Sequence, residues 1–112
     1  MLHSIRVIVI LLDVPESPGP PSKTDTTSTS ISLQWDKPTD NGGRPITGYL
    51  VEKFDGHSDT WTMLTMSPTK NTTYTATNLV KGRQYQFRVS AVNDAGQSKP
   101  SMISKVIFAA GK

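Results

Sequence analysis

Between Gln84 and Asn93 the chain alternates without a break: Tyr85, Phe87, Val89 and Ala91 are separated by Gln86, Arg88 and Ser90. Successive side chains of a strand point to opposite faces, so only an extended backbone gathers these apolar groups on one side; a helix would scatter them around its axis. A sheet with one apolar face must bury that face against a second layer. The same period of two recurs at Ile31, Leu33 and Trp35, and again in Ile46 to Phe54, where Tyr49 and Val51 share a face with Lys53. Thr60 to Met66, carrying Trp61 and Met63, reads as a further strand, and Thr73 to Thr77 as another with Tyr74 and Ala76 directed inward. A weak polar strand around Lys23 to Thr26 and a less regular one ending in Val106, Ile107 and Phe108 bring the total to about seven, joined by connections too short for parallel crossovers. The expected fold is all-β, a seven-stranded antiparallel β-sandwich.

At 112 residues the chain supports one core. Ser and Thr make up roughly a quarter of it, which suits strands and turns, and Cys is absent, which excludes disulfides, thiolate metal sites and cysteine nucleophiles. The 12 basic and 9 acidic residues leave +3, but the basic residues run from Arg6 onward without forming a stripe, so no nucleic-acid partner is expected. The apolar run from Ile5 to Leu12 is far shorter than the ~20 residues that span a bilayer. It meets Asp13-Val14-Pro15-Glu16 instead of a small-residue cleavage site, so it reads as neither anchor nor leader, and no membrane partner is expected. Alternation at Ile5, Val7 and Val9 makes it a strand. Residues 1–14 therefore read as the apolar end of a preceding domain, 15–21 as a Pro-rich linker and 22–112 as the sandwich. An unpaired apolar strand also predicts self-association through residues 1–14.

No residue cluster carries chemistry. His3 and His57 lie far apart in the sequence, and His57-Ser58-Asp59 packs triad residue types into one turn, where the geometry of nucleophile, base and orienter is not met. Asp36, Asp40 and Asn41 lack the spacing of a calcium loop, and Gly42-Gly43 has neither the following Lys nor the helix of a phosphate cradle. No cofactor, metal or catalytic residue is expected, and the chain reads as non-enzymatic. Trp35, Tyr49, Val51, Leu79, Tyr85, Phe87 and Val89 are assigned to the core by their phase. Trp61 covers a sheet edge or stands partly exposed, Glu52 and Arg88 pair across neighbouring strands, and Asn71-Thr72-Thr73 is a glycosylation sequon that matters only in the secretory pathway. Recognition falls to loops held by the scaffold. Sandwich connectivity places Asp40, Asn41 and Arg44, then Lys70 and Asn71, then Asn93, Asp94 and Gln97 at one end, facing the incoming chain, as candidate protein-binding residues.

From Pro15 onward the chain resembles a fibronectin type III domain: Trp35-Asp36-Lys37-Pro38, then Gly48-Tyr49-Leu50-Val51, then Leu79 six residues before Tyr85. Leu79 to Tyr85 is similar to that family's tyrosine corner, in which the phenol hydroxyl bonds backbone at the preceding turn. A narrower resemblance lies in Asp40 to Lys53 and Tyr85 to Gly96, strings similar to the type III modules of titin, twitchin and myosin-binding protein C. It implies a structural, protein-binding spacer in the cytoplasm, within the sarcomere. The implied partners are myosin or other thick-filament proteins and neighbouring immunoglobulin-like or type III domains. The sequon supports an extracellular adhesion or receptor module as the alternative. The resemblance departs at Ser22 to Thr26, which lacks the apolar residues of the family's first strand and is expected to be frayed or short.

Overall fold

The computed structural model describes residues 13–111. The strand expected in Ile5 to Leu12, the self-association assigned to residues 1–14 and the position of His3 lie outside or largely outside the described residues. Within them the strands are β1 (Ser22–Thr26), β2 (Ile31–Gln34), β3 (Gly48–Phe54), β4 (Thr62–Met63), β5 (Thr73–Ala76), β6 (Gln84–Asn93), β7 (Gly96–Gln97) and β8 (Ile107–Phe108), and there is no helix. One sheet runs β1-β2-β5 and the other β4-β3-β6-β7, with β8 also on β6; every pairing is antiparallel.

The alternation decides how the layers meet. Tyr49 lies opposite Ala91, Val51 opposite Val89 and Lys53 opposite Phe87, so the inward faces of β3 and β6 coincide. Ile31, Leu33 and Trp35 approach them from the other sheet, while Leu79, Ile107 and Ala109 complete the cluster. Trp35, Tyr49, Val51, Leu79, Tyr85, Phe87 and Val89 are all buried. Each large side chain so buried stabilises the fold by about 1.5–3 kcal/mol. Trp35 meets Tyr49 edge-on at 5.5 Å between ring centroids, and burial pushes the Tyr49 phenol pKa up. The tyrosine corner is formed, the Val80 N–H donating to the Tyr85 hydroxyl at 2.8 Å.

Two strands differ from expectation. The one expected over Thr60 to Met66 is only Thr62–Met63, both exposed. Beyond them the β3 edge is finished differently: Leu64 donates its N–H to the Val51 carbonyl, and the buried Thr65 hydroxyl accepts the Val51 N–H at 3.2 Å. The first strand is a full five residues despite its polar sequence, with Thr24 as a bulge between the pairs Lys23–Leu33 and Asp25–Ser32. The apolar contribution missing from its side chains comes from just before it, where Pro18 and Pro21 are buried.

The stretch before β8 is the largest departure. Pro100 lacks an N–H and restricts Lys99, which breaks a regular ladder. In its place Ser98, Ser101, Ser104 and Ile107 are buried at every third position, the period of a polyproline II helix. Each serine bonds β6 twice. Ser98, Ser101 and Ser104 donate N–H to the carbonyls of Ala91, Val89 and Phe87, and their hydroxyls accept the N–H of the same three residues at 2.9, 3.0 and 2.9 Å. Ser101→Ala would strand the buried Val89 N–H, so stability should fall by about 1–3 kcal/mol. Urea unfolding is the check; a midpoint equal to that of the unmodified chain would refute the role given to the hydroxyl.

Candidate interaction site

The loop after β2 is shaped by two Asx turns: Gly42 N–H donates to Asp40 Oδ1 at 2.8 Å and Gly43 N–H to Asn41 Oδ1 at 2.9 Å. Gly42 has φ +77°, and a Cβ there would collide with the Asp13 carbonyl, so glycine is required both by conformation and by the chain lying over it. That incoming chain, Asp13-Val14, sits between the loop and the β6–β7 turn. Asn93 fastens it. Its amide donates to the carbonyls of Asp13 at 2.9 Å and Asn41 at 2.7 Å, while its Oδ1 accepts from Ala95 N–H at 2.8 Å and Gly96 N–H at 3.2 Å.

This corrects one expected binding residue. Asn93 is 3% exposed with both polar atoms engaged, so it holds the loops together and offers nothing to a partner. Asp40, Asn41, Arg44, Asp94 and Gln97 do lie on the surface around it, with Arg44 and Asp94 3.8 Å apart in an exposed ion pair of little energetic weight. Lys70 and Asn71 are exposed near the same end: Tyr49 and Thr69 exchange both backbone bonds, and Pro68 lies against Gly48, which pairs with Val92. No hydrogen bond or ion pair among the described residues links Lys70 or Asn71 to the other loops.

Residues 15–21, read from sequence as a linker, are stitched along the domain. Pro15, Pro18 and Pro21 are buried. Glu16 N–H donates to the Asp40 carbonyl at 3.0 Å, Gly19 N–H to the Asp36 carbonyl at 3.1 Å and Ser17 Oγ to the Lys99 carbonyl at 2.9 Å, while Thr39 Oγ1 donates to the Glu16 carboxylate. Composition suggests an extended connector; the contacts of this segment with residues 36–42 are non-local and leave no mark in the local sequence.

On the outer face of the larger sheet Arg88 lies opposite Glu52 and bonds its carboxylate at 2.9 Å. Its guanidinium stacks over Trp61 at 4.3 Å, and Trp61 in turn leans on Phe54 at 5.5 Å. Trp61 is thus half-buried, roofing an ion pair. At the opposite end of the domain, a cleft of about 570 Å³ is lined by Asp55, His57, Lys81 and Arg83. Asp55 accepts the His57 N–H at 2.9 Å, and this bond, with the nearby cations, holds its carboxyl below the usual range. Ser58 bonds Thr60 in an exposed turn, so His57, Ser58 and Asp59 assemble no catalytic geometry. Among the described residues no three His, Asp or Glu side chains converge on a metal position.

The arrangement is therefore that of an immunoglobulin-like β-sandwich module with one end fastened to the chain that enters it at Asp13. The fibronectin type III domain family matches residues 16–107, and the chain belongs to that family. It is 40% identical over 102 residues to human fast-type myosin-binding protein C, covering 88% of this chain and 9% of that protein. It is 41% identical over 95 residues to a titin homolog of Caenorhabditis elegans, covering 85% of this chain and 0%, to the nearest per cent, of the relative. Domains A168–A170 of titin superpose with TM-score 0.82 at 37% identity, covering 88% of this chain and 33% of that one. The chain thus spans less than a tenth of the length of the curated relatives it matches.

Two outcomes follow from this geometry. Asn93→Ala should lower stability by about 1–3 kcal/mol and expose residues 13–16 to limited proteolysis; intact resistance to cleavage would show that the amide is not the fastener. The lowered Asp55 pKa means the unfolded chain binds that proton more readily. The stability it contributes is complete above the ordinary carboxylate range and disappears as pH falls through the folded value. Below about pH 4, Asp55→Asn should therefore lose less stability than the unmodified chain, as read from thermal melts at stepped pH.

Proposed function

We propose that this chain is a non-catalytic spacer and protein-docking module of a titin-like or twitchin-like sarcomeric protein, working along the thick filament. The observation that carries this reading is the fastening of Asp13 to Asn93 and Gly42, which fixes where the incoming chain enters the module, as suits a unit of a tandem array. Similarity to myosin-binding protein C and a titin homolog supports it, and myosin, which the first of those names gives, is the partner proposed together with other thick-filament proteins. The division into the end of a preceding immunoglobulin-like domain at residues 1–14, a Pro-rich linker at 15–21 and the module at 22–112 belongs to the same reading. Asp40, Asn41, Arg44, Lys70, Asn71, Asp94 and Gln97 are the exposed loop residues assigned to docking, either to a neighbouring domain or to the filament.

Asn71 is exposed within its sequon and supports the second reading, an extracellular adhesion or receptor module. Mass spectrometry of the native protein separates the two, since a glycan on Asn71 requires passage through the secretory pathway. For the first reading, the chain should co-sediment saturably with purified myosin filaments at physiological salt, and Arg44→Glu together with Lys70→Glu should weaken that binding. A wild-type chain that stays in the supernatant at every concentration would contradict the docking role.

A further inference from the structure

The flank between β1 and residues 102–108 combines three features that the loops do not share. It carries an apolar groove of about 630 Å³ floored and edged by Met102, Ile103, Val106 and Phe108, which remain 79%, 51%, 47% and 51% exposed. Monomeric domains seldom leave so many large apolar side chains together on one edge. The backbone beside them is open as well. β1 pairs only with β2, and Met102, Ile103 and Lys105 donate no backbone hydrogen bond among the described residues. Finally, Lys23 and Lys105 line the groove, and neither has a carboxylate partner among the described residues.

From this combination we infer that the groove receives an extended segment of a partner protein in which apolar and acidic residues alternate. This deepens the docking reading and rests on it. An extended segment can bond the open β1 edge, which a helix, with its backbone groups satisfied internally, cannot. Alternation turns apolar side chains onto Ile103 and Phe108 while the acidic ones remain at the rim, within reach of the flexible lysines. Charge also disfavours a second copy as occupant, because this chain carries +3 and would bring lysines against lysines.

The test uses the full, isotope-labelled chain titrated with a seven-residue Val/Glu alternating peptide and with its Val/Lys counterpart, followed by amide shifts in NMR spectra. The Val/Glu peptide should shift the amides of residues 22–26 and 102–108 saturably. Lys23→Glu with Lys105→Glu should weaken it between about twofold and about thirtyfold, the combined effect of two exposed ion pairs. Val106→Asp, at an exposed site, should abolish the response while the remaining amide shifts report an intact fold. Absence of saturable shifts at millimolar peptide, equal response to the Val/Lys peptide, or shifts located elsewhere would each overturn the inference. So would concentration-dependent movement of the same amides without peptide, which would give the groove to a second copy. Co-sedimentation of the double lysine variant keeps the two readings apart. If filaments bind it as well as wild type and the peptide fails, the groove reading falls and docking stands; if wild type never sediments, docking falls whatever the peptide does.

Discussion

The larger sheet depends on how the outer edge of β6 is satisfied. In an antiparallel strand the N–H and C=O of alternate residues point to the same side, so Phe87, Val89 and Ala91 all need partners opposite β3. Those residues are buried, and an unpaired buried backbone group costs as much as a lost hydrogen bond. The partner segment contains Pro100, which cannot continue a ladder. Three serines solve the problem at a spacing of three, each presenting N–H and hydroxyl to one β6 residue. On the other side of the sheet the Thr65 hydroxyl accepts the Val51 N–H, while the Val51 carbonyl takes the N–H of Leu64. A composition rich in hydroxyl residues therefore has a definite use here: side chains finish edges that the backbone alone leaves open.

The arrangement has consequences at both ends. A polyproline-like segment turns successive side chains around three sides, so two of every three residues face outward, and this leaves Met102, Ile103, Lys105 and Val106 on the surface beside β1. The same segment carries the Lys99 carbonyl that accepts Ser17 Oγ, which ties the leading chain to the closing one. β6 itself ends in Asn93, whose amide reaches the incoming backbone. A pull on residue 13 is thus shared between the bonds of residues 13–19 to the loop at 36–42, the Ser17 bond to Lys99 and Asn93 at the end of β6.

The sequence made the inner layer legible and the edges much less so. Tyr85, Phe87 and Val89 declare their face by period two, and Trp35, Tyr49 and Val51 do likewise, because a buried face leaves its imprint on every second residue. The pairing of Glu52 with Arg88 followed from that phase as well. Ser98, Ser101 and Ser104 also show a regular spacing, but period three in polar residues is not a strand signal, and the segment was expected to be an irregular strand. Asn93 reads from sequence as a candidate binding residue because sandwich connectivity places it among the loops at one end; its burial depends on Asp13 and Asn41, 80 and 52 residues away. The prolines at 15–21 mark a segment without strand periodicity, and its attachment to Asp36 and Asp40 is set by tertiary contact.

Native-state hydrogen exchange on the full chain tests the central claim most directly. If serine hydroxyls close the β6 edge as strand backbone would, the amides of Phe87, Val89 and Ala91 should exchange only through global unfolding, at the same free energy as the inner β3–β6 amides. Exchange of these three at markedly lower free energy, with the β3–β6 pairing still protected, would contradict the account.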